Sequence, residues 1–281
     1  MTPQLPITDN HIHIDLICGK GLEAVREFKN AGGTHAFLVS LPSRHLGVFV
    51  KAAKDYTEVF EQTITTAMKM REENVTTFPV LGIHPVDILY LAEENGIEKA
   101  VEIMCGGFDI AASYVKEGKA VALKSGRPHF PVSEEIWDAS NTVMSYVFSL
   151  AKDIKCAVQL HVEEMTKGSL KDLSEIAKKT GQPLEKIMNH HATPLVSEAE
   201  KFGIYPSVTA GKDYIETALQ QSTRFLMETD YVDDINKPGF VLGPKTVPKK
   251  TKKLIEIYGE EPFWDIHQKN PSKIYDVDIE F

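Results

Sequence analysis

Residues 7–14 read ITDNHIHI, an apolar, β-branched stretch with two histidines one residue apart. Alternate side chains of a strand share a face, so His11 and His13 point one way and Ile12 the other. Two imidazoles side by side on one face are costly to bury without a partner, and a divalent cation is the commonest one. A solvated strand end carrying two ordinary histidines is the competing reading. The rest of the chain decides between them.

Outward from this stretch, short apolar runs alternate with longer amphipathic ones. The further strand candidates are HAFLVSL (35–41), TTFPVLGIH (76–84), AVALKS (120–125), CAVQLHVE (156–163), KIMNHH (186–191), IYPSVTA (204–210) and RFLMETD (224–230). Between them lie helical patterns such as GLEAVREFKNAGG and SLKDLSEIAKKTGQ, each closed by a glycine stop signal. Roughly eight strand–helix units point to parallel strands with crossover helices, and so to an α/β fold: a (β/α)8 TIM barrel forming a single domain over residues 1–281. Residues 47–75 and 86–118 are too long for simple crossovers and predict long or doubled helices. NKPGFVLGPKTVP (236–248) is the one long loop, and VPKKTKKLIEIYG is the last helix, opened by a proline.

Bulk properties narrow the function. The 281 residues are 42% hydrophobic and carry a net charge of −9, which argues against a broad basic surface for nucleic acid. Cys18, Cys105 and Cys156 are scattered without a CxxC pair, as free thiols in a reducing compartment would be. MTPQLPITD has neither a basic n-region nor an apolar h-region, and no apolar run approaches the ~20 residues of a membrane span. The expectation is a soluble, cytoplasmic protein with no membrane partner.

The polar residues then fall into place. His11 and His13 end the first strand candidate, His84 the third, Lys124 the fourth, His161 the fifth, His190 and His191 the sixth, and Asp230 the eighth. In a barrel these ends meet at the C-terminal face, where imidazoles and a carboxylate would converge as a zinc-type ion requires. Such coincidence at several strand ends favours the metal reading of HIH over the bland one.

The set HIH, GIHP (82–85), a histidine on strand five, HHA on strand six and METDY (227–231) resembles the TatD family of metal-dependent hydrolases, within the amidohydrolase superfamily. The similarity covers essentially the whole chain. It implies a (β/α)8 barrel and a metal-dependent hydrolase, with deoxyribonucleases among the best-described members. It also implies that His11, His13 and Asp230 hold one ion and His161 with His190 a second. One or two divalent ions are expected, zinc first, with magnesium or manganese as alternatives. Two such ions, about 3.5–4 Å apart, would polarise the scissile group and activate a shared water, and Asp230 would act as general acid–base.

One residue departs from the family. Where a Glu ends strand four in TatD proteins, ALKSGRPH places Lys124. A free ammonium cannot ligate a metal and would repel a pair of them. Elsewhere in the superfamily a lysine here is carboxylated and bridges two ions; the alternatives are a one-metal site or an inactive remnant. His190 is preferred over His191 as ligand, because adjacent strand residues face opposite ways. Arg127 and His129 follow Lys124 directly and are expected to overhang the site and bind substrate, a guanidinium being suited to clamp phosphate or carboxylate; a solvated loop arginine is the alternative. His84 either touches substrate or caps its strand. His35, His45 and His267 have no partners in the pattern, and KKTKK (249–253) reads as a solvated face. The leading function is hydrolysis of phosphoesters or phosphodiesters in a small-molecule or short nucleic-acid substrate. An amidohydrolase or lactonase with a carboxylated-lysine centre, and a non-catalytic metal- or ligand-binding barrel, are the alternatives.

Overall fold

Each apolar run becomes a strand of one sheet: β1 (Thr8–His13), β2 (His35–Val39), β3 (Thr76–Gly82), β4 (Ala122–Gly126), β5 (Ala157–His161), β6 (Ile187–Ala192), β7 (Tyr205–Thr209) and β8 (Leu226–Glu228). A short ninth strand, β9 (Tyr231–Val232), follows at once. The computed structural model describes residues 4–235 and 242–280. All pairings are parallel, and β1 to β8 neighbour one another in chain order. The last strand is split: β8 pairs with β7, whereas β9 pairs with β1, Ile12 opposite Tyr231. That split closes the ring into the expected α/β barrel.

The crossovers are helical: α1 (Leu22–Ala31), α2 (Tyr56–Glu72), α3 (Asp87–Asn95), α4 (Ile97–Lys116), α5 (Glu134–Ile154), α6 (Lys167–Thr180), α7 (Val196–Lys201), α8 (Tyr214–Leu219) and α9 (Thr246–Tyr258). The two overlong crossovers contain α2 and the doubled α3–α4, as their lengths predict. Of the long loop expected at 236–248, residues 236–241 lie outside the described residues, and α9 begins inside its remainder. The helices bury their apolar faces on the outside of the sheet, Phe60, Phe108 and Phe148 on one flank and Val25 with Phe28 on another. The three cysteines are unpaired. Among the described residues, no helix is long and apolar enough to cross a membrane.

The C-terminal segment was not anticipated. Helix α10 (Glu261–Trp264), a π-helical turn over Asp265–Lys269 and α11 (Asn270–Tyr275) follow α9. Ile274, Tyr275 and Ile279 pack against inward-facing Phe37, Val80, Ala122, Ala157 and Met188, filling the barrel interior from its N-terminal end. Above them Gln159 Nε2 donates to the Tyr275 hydroxyl (2.9 Å) and to the Asn10 carbonyl (3.0 Å), and Asn10 Nδ2 donates to Ser207 Oγ (3.0 Å). This polar layer is the floor of the site.

His267, without a partner in the sequence pattern, is fully buried and ties this segment to β1. Its Nε2 lies 2.8 Å from Thr251 Oγ1, and the Thr8 hydroxyl donates to its carbonyl (2.6 Å). Burial pulls the imidazole from 6.5 down to about 4. Between those values the unfolded chain binds a proton that the folded chain refuses. The stabilisation is therefore complete above pH 6.5 and is lost as pH falls toward 4, about 3 kcal/mol in all. His267→Gln should be less stable than the parent at pH 7.5 but lose less stability on acidification to pH 4.5, measured by urea unfolding. Parallel pH dependences would assign the acid lability elsewhere.

Candidate metal centre

The centre is organised where β1 meets the split last strand. The β1–β2 register shifts between Asp9 and Ile12, a bulge that turns Asn10 and His11 inward together. Buried Asp9 accepts from the His11 amide (3.2 Å), the Thr229 amide (3.1 Å) and the Thr229 hydroxyl (2.7 Å). The Asp230 amide donates to the His11 carbonyl (3.0 Å), and Asp230 adopts φ 50°. That left-handed residue separates β8 from β9 and brings Oδ1 of Asp230 to 3.7 Å from His11 Nε2 and 4.0 Å from His13 Nε2.

His11 Nε2 and His13 Nε2 are 3.1 Å apart. His13 Nδ1 lies 2.8 Å from the Val39 carbonyl, which can only accept, so Nδ1 carries the proton and Nε2 offers its lone pair. Burial pushes His13 down to about 3 and His11 well below the imidazole range, which keeps both neutral. Burial opposes ionisation of Asp230, but its hydrogen bond from His191 and the basic side chains around it outweigh burial and hold the carboxylate charged. Neutral imidazoles beside an ionised carboxylate are the donor set of a divalent cation. Three donor atoms from His11, His13 and Asp230, and three from His11, His190 and Glu228, lie within 4.8 Å of one another. The Nδ1 atoms of His11 and His190 and Oε2 of Glu228 are buried with no hydrogen-bond partner among the described residues. The residues fit a metal centre.

On the opposite side His161 Nδ1 approaches His190 Nε2 at 2.8 Å, and the His190 ring stacks on His11 at 3.9 Å. A second register shift, between Asn189 and Ala192, settles which neighbour looks inward. His190 is buried, whereas His191 is exposed with φ 51° and bonds Asp230 Oδ2 through Nδ1 (2.9 Å). Glu228 is the residue that sequence reasoning passed over. Its Oε1 accepts from the His191 amide (2.6 Å) and lies 3.5 Å from His190 Nδ1, which makes Glu228 a candidate donor beside His11 and His190. The signal was available: Glu228 and Asp230 stand two apart in METDY.

Lys124 lies inside β4, fully buried, with Nζ 3.2 Å from His11 Nε2. Desolvation lowers its pKa to about 8, against the pull of Asp230 and Glu228. The strands around it must pass closely. A Cβ on Gly82 would meet the Lys124 carbonyl at 1.9 Å, and one on Gly126 the His161 carbonyl at 1.8 Å, so GIHP and KSG need their glycines. His84, just past β3, caps its strand end and lies beside the cluster. Its Nδ1 accepts from the Val86 amide (3.2 Å), leaving Nε2 protonated, and its ring is 4.5 Å from that of His161. His129 is exposed at the mouth, its Nδ1 2.8 Å from His161 Nε2.

Arg127 differs from the overhanging clamp expected. Its guanidinium is 1% exposed. Nε and NH2 grip both oxygens of Glu163, and NH1 donates to Asn141 (2.9 Å) and Asp172 (2.6 Å). Its plane lies 4.2 Å from the Trp137 ring. The Gly126 approach turns the chain back over β5, so Arg127 points at Glu163 after β5, Asp172 on α6 and Asn141 on α5, and away from the centre. Arg127→Ala should lower stability by about 3 kcal/mol, because it strands two carboxylates and empties a packed site. Thermal melting of the variant checks this; an unchanged melting temperature with a raised KM would return Arg127 to substrate binding.

Comparison with known proteins agrees with this geometry. The family model described as TatD related DNase matches residues 8–276. An uncharacterized protein of Methanocaldococcus jannaschii is 38% identical over 290 residues, covering 98% of both chains. Among solved structures, the chain is similar in fold to a TatD homologue of Escherichia coli K12 (17% identity, 96% of this chain and 98% of that one, TM-score 0.67). It is also similar to an organophosphorus hydrolase variant of Deinococcus radiodurans (14% identity, 97% and 94%, TM-score 0.61). The chain belongs to the TatD-related family of metal-dependent hydrolases.

Proposed function

We propose that the protein hydrolyses phosphoester bonds in a small or short substrate, with divalent ions held by His11, His13 and Asp230 on one side and by His161 and His190 on the other. The observation that carries this reading is the convergence of the imidazole nitrogens of His11, His13, His161 and His190, paired at 3.1 and 2.8 Å, with the Asp230 carboxylate 3.7 Å from His11. Imidazole-rich donors favour zinc, with magnesium or manganese as alternatives. When bound, the metal supplies Lewis-acid polarisation of the scissile group and acidifies water.

The chain's own residues do the rest. Asp230 Oδ1 faces the ligand nitrogens and takes the proton of the attacking water, then returns it to the leaving oxygen. His191 bonds Oδ2 and holds the carboxylate in that orientation. Glu228 keeps His190 turned toward the centre, and protonated Nε2 of His84 offers a donor to a substrate oxygen. Lys124 needs chemical change to serve. An ammonium among dications is repelled, whereas Nζ that adds to CO2 and loses a proton becomes an anionic carbamate able to bridge two ions. Its buried position within the donor cluster supports that modification. The same lysine favours a second reading, hydrolysis of lactones or phosphotriesters, activities named for fold neighbours from Deinococcus radiodurans.

Elemental analysis and intact mass, run beside an activity panel of phosphodiesters, phosphotriesters and lactones, test these assignments. His11→Ala with His13→Ala should lose at least one ion, and metal affinity of the parent should hold through the ordinary imidazole range and fall only as pH drops toward the depressed value of His13, about 3; full stoichiometry in the double variant would refute the ligand set. Lys124→Ala should lose activity and an ion, with partial rescue by bicarbonate or short carboxylates. Lys124→Glu should keep both ions. A fully occupied single metal beside unmodified lysine would overturn the bridge.

A further inference from the structure

Beside the centre the β4–α5 loop encloses an open cleft of about 480 Å3, lined by Pro128, His129, Phe130, Pro131, Trp137 and Glu163, with Val132 and Glu134 at its edge. We propose that this cleft seats a planar aromatic group of the substrate, which makes the substrate a small aryl-bearing ester or phosphoester and not a nucleic-acid polymer. The inference rests on the hydrolase reading above and extends it to substrate class.

Three observations carry it. First, the cleft is continuous with the centre: His129 lines it and bonds His161 at 2.8 Å, so a group seated there is joined to the reacting end by one residue. Second, its walls suit a flat apolar group. Phe130 is 38% exposed and packs edge-on against His129 at 5.1 Å, and two prolines flank the pair. Trp137 is fixed in place by the Arg127 guanidinium at 4.2 Å, itself locked by Glu163 and Asp172. A rigid aromatic wall binds at low entropic cost. Third, the charge is wrong for a polyanion. No Lys or Arg lines the cleft among the described residues, two glutamates do, and the one nearby arginine is consumed by carboxylates. A run of phosphates needs cations to track it.

Trp137 and Trp264 are the two tryptophans, and Trp264 belongs to α10 in the C-terminal segment. In Trp264→Phe protein with its metal complement, titration with neutral 4-nitrobenzyl alcohol should quench Trp137 fluorescence saturably. Adding Phe130→Ala should weaken that binding about fivefold. The second measurement compares kcat/KM for bis(4-nitrophenyl) phosphate and methyl 4-nitrophenyl phosphate, which lose the same leaving group. The aryl-to-methyl ratio should exceed one and fall about fivefold in Phe130→Ala. Non-saturable quenching equal in both proteins, or a ratio that Phe130→Ala leaves unchanged, would overturn the subsite; so would an oligonucleotide cut with higher kcat/KM than either ester. If neither ester is hydrolysed while quenching saturates and depends on Phe130, the subsite stands and the hydrolase reading falls.

Discussion

The carboxylate of Asp9 is the fastening on which the centre depends. It is fully buried at the seam between the first strand and the last, and burial drives its pKa up to about 7 against the three donors that favour its charge. Those donors are the amide of His11 and the amide and hydroxyl of Thr229. One side chain thus holds the bulge in β1 and the break between β8 and β9. The bulge aims His11, and the break aims Asp230, so the grouping of His11, His13 and Asp230 is a consequence of how the barrel is sealed. A parallel sheet pairing without irregularity would close equally well and would turn half of these groups toward the helices.

Two buried basic residues stand three positions apart, at Lys124 and Arg127, and the protein treats them in opposite ways. Arg127 is paired with Glu163 and Asp172, bonded to Asn141 and covered by Trp137. Its charge is spent inside the wall, where it locks a loop and an aromatic ring. Lys124 has a histidine nitrogen at 3.2 Å as its hydrogen-bonding neighbour and feels Asp230 and Glu228 only as charges. The fully satisfied arginine is built into the wall, whereas the sparsely partnered lysine is the one whose pKa burial lowers, to about 8.

The eight strands were legible because a barrel strand is buried on both faces and reads as a continuous apolar run. His11, His13, His161 and Asp230 were legible because polar residues closing such runs have no other reason to be there. Other features depend on contacts that no local pattern encodes. The partners of Arg127 lie 36 and 45 residues further along. The choice between His190 and His191 follows from a register shift against β7, not from their own neighbourhood. Residues 261–275, EPFWDIHQKNPSKIY, are polar and broken by prolines, and become ordered by docking Ile274 and Tyr275 into the barrel. Glu228 was readable by its spacing from Asp230 and was overlooked because only one carboxylate was sought.

The seam also dictates a timetable. Thr8 bonds His267 across 259 positions, Asp9 bonds Thr229 across 220, and Gln159 reaches Tyr275 across 116. As the chain emerges from the ribosome, β1 can lean on β2 early but has no second edge partner until β9 has been made. The two histidines that begin the sequence are therefore left without their aspartate for most of synthesis. Loop closure over such spans is entropically expensive and slow. A nascent chain would hold His11 and His13 in an incomplete cup, and any cation that needs the whole donor group would be captured only with the final act of folding. Ion loading would then report on a finished barrel.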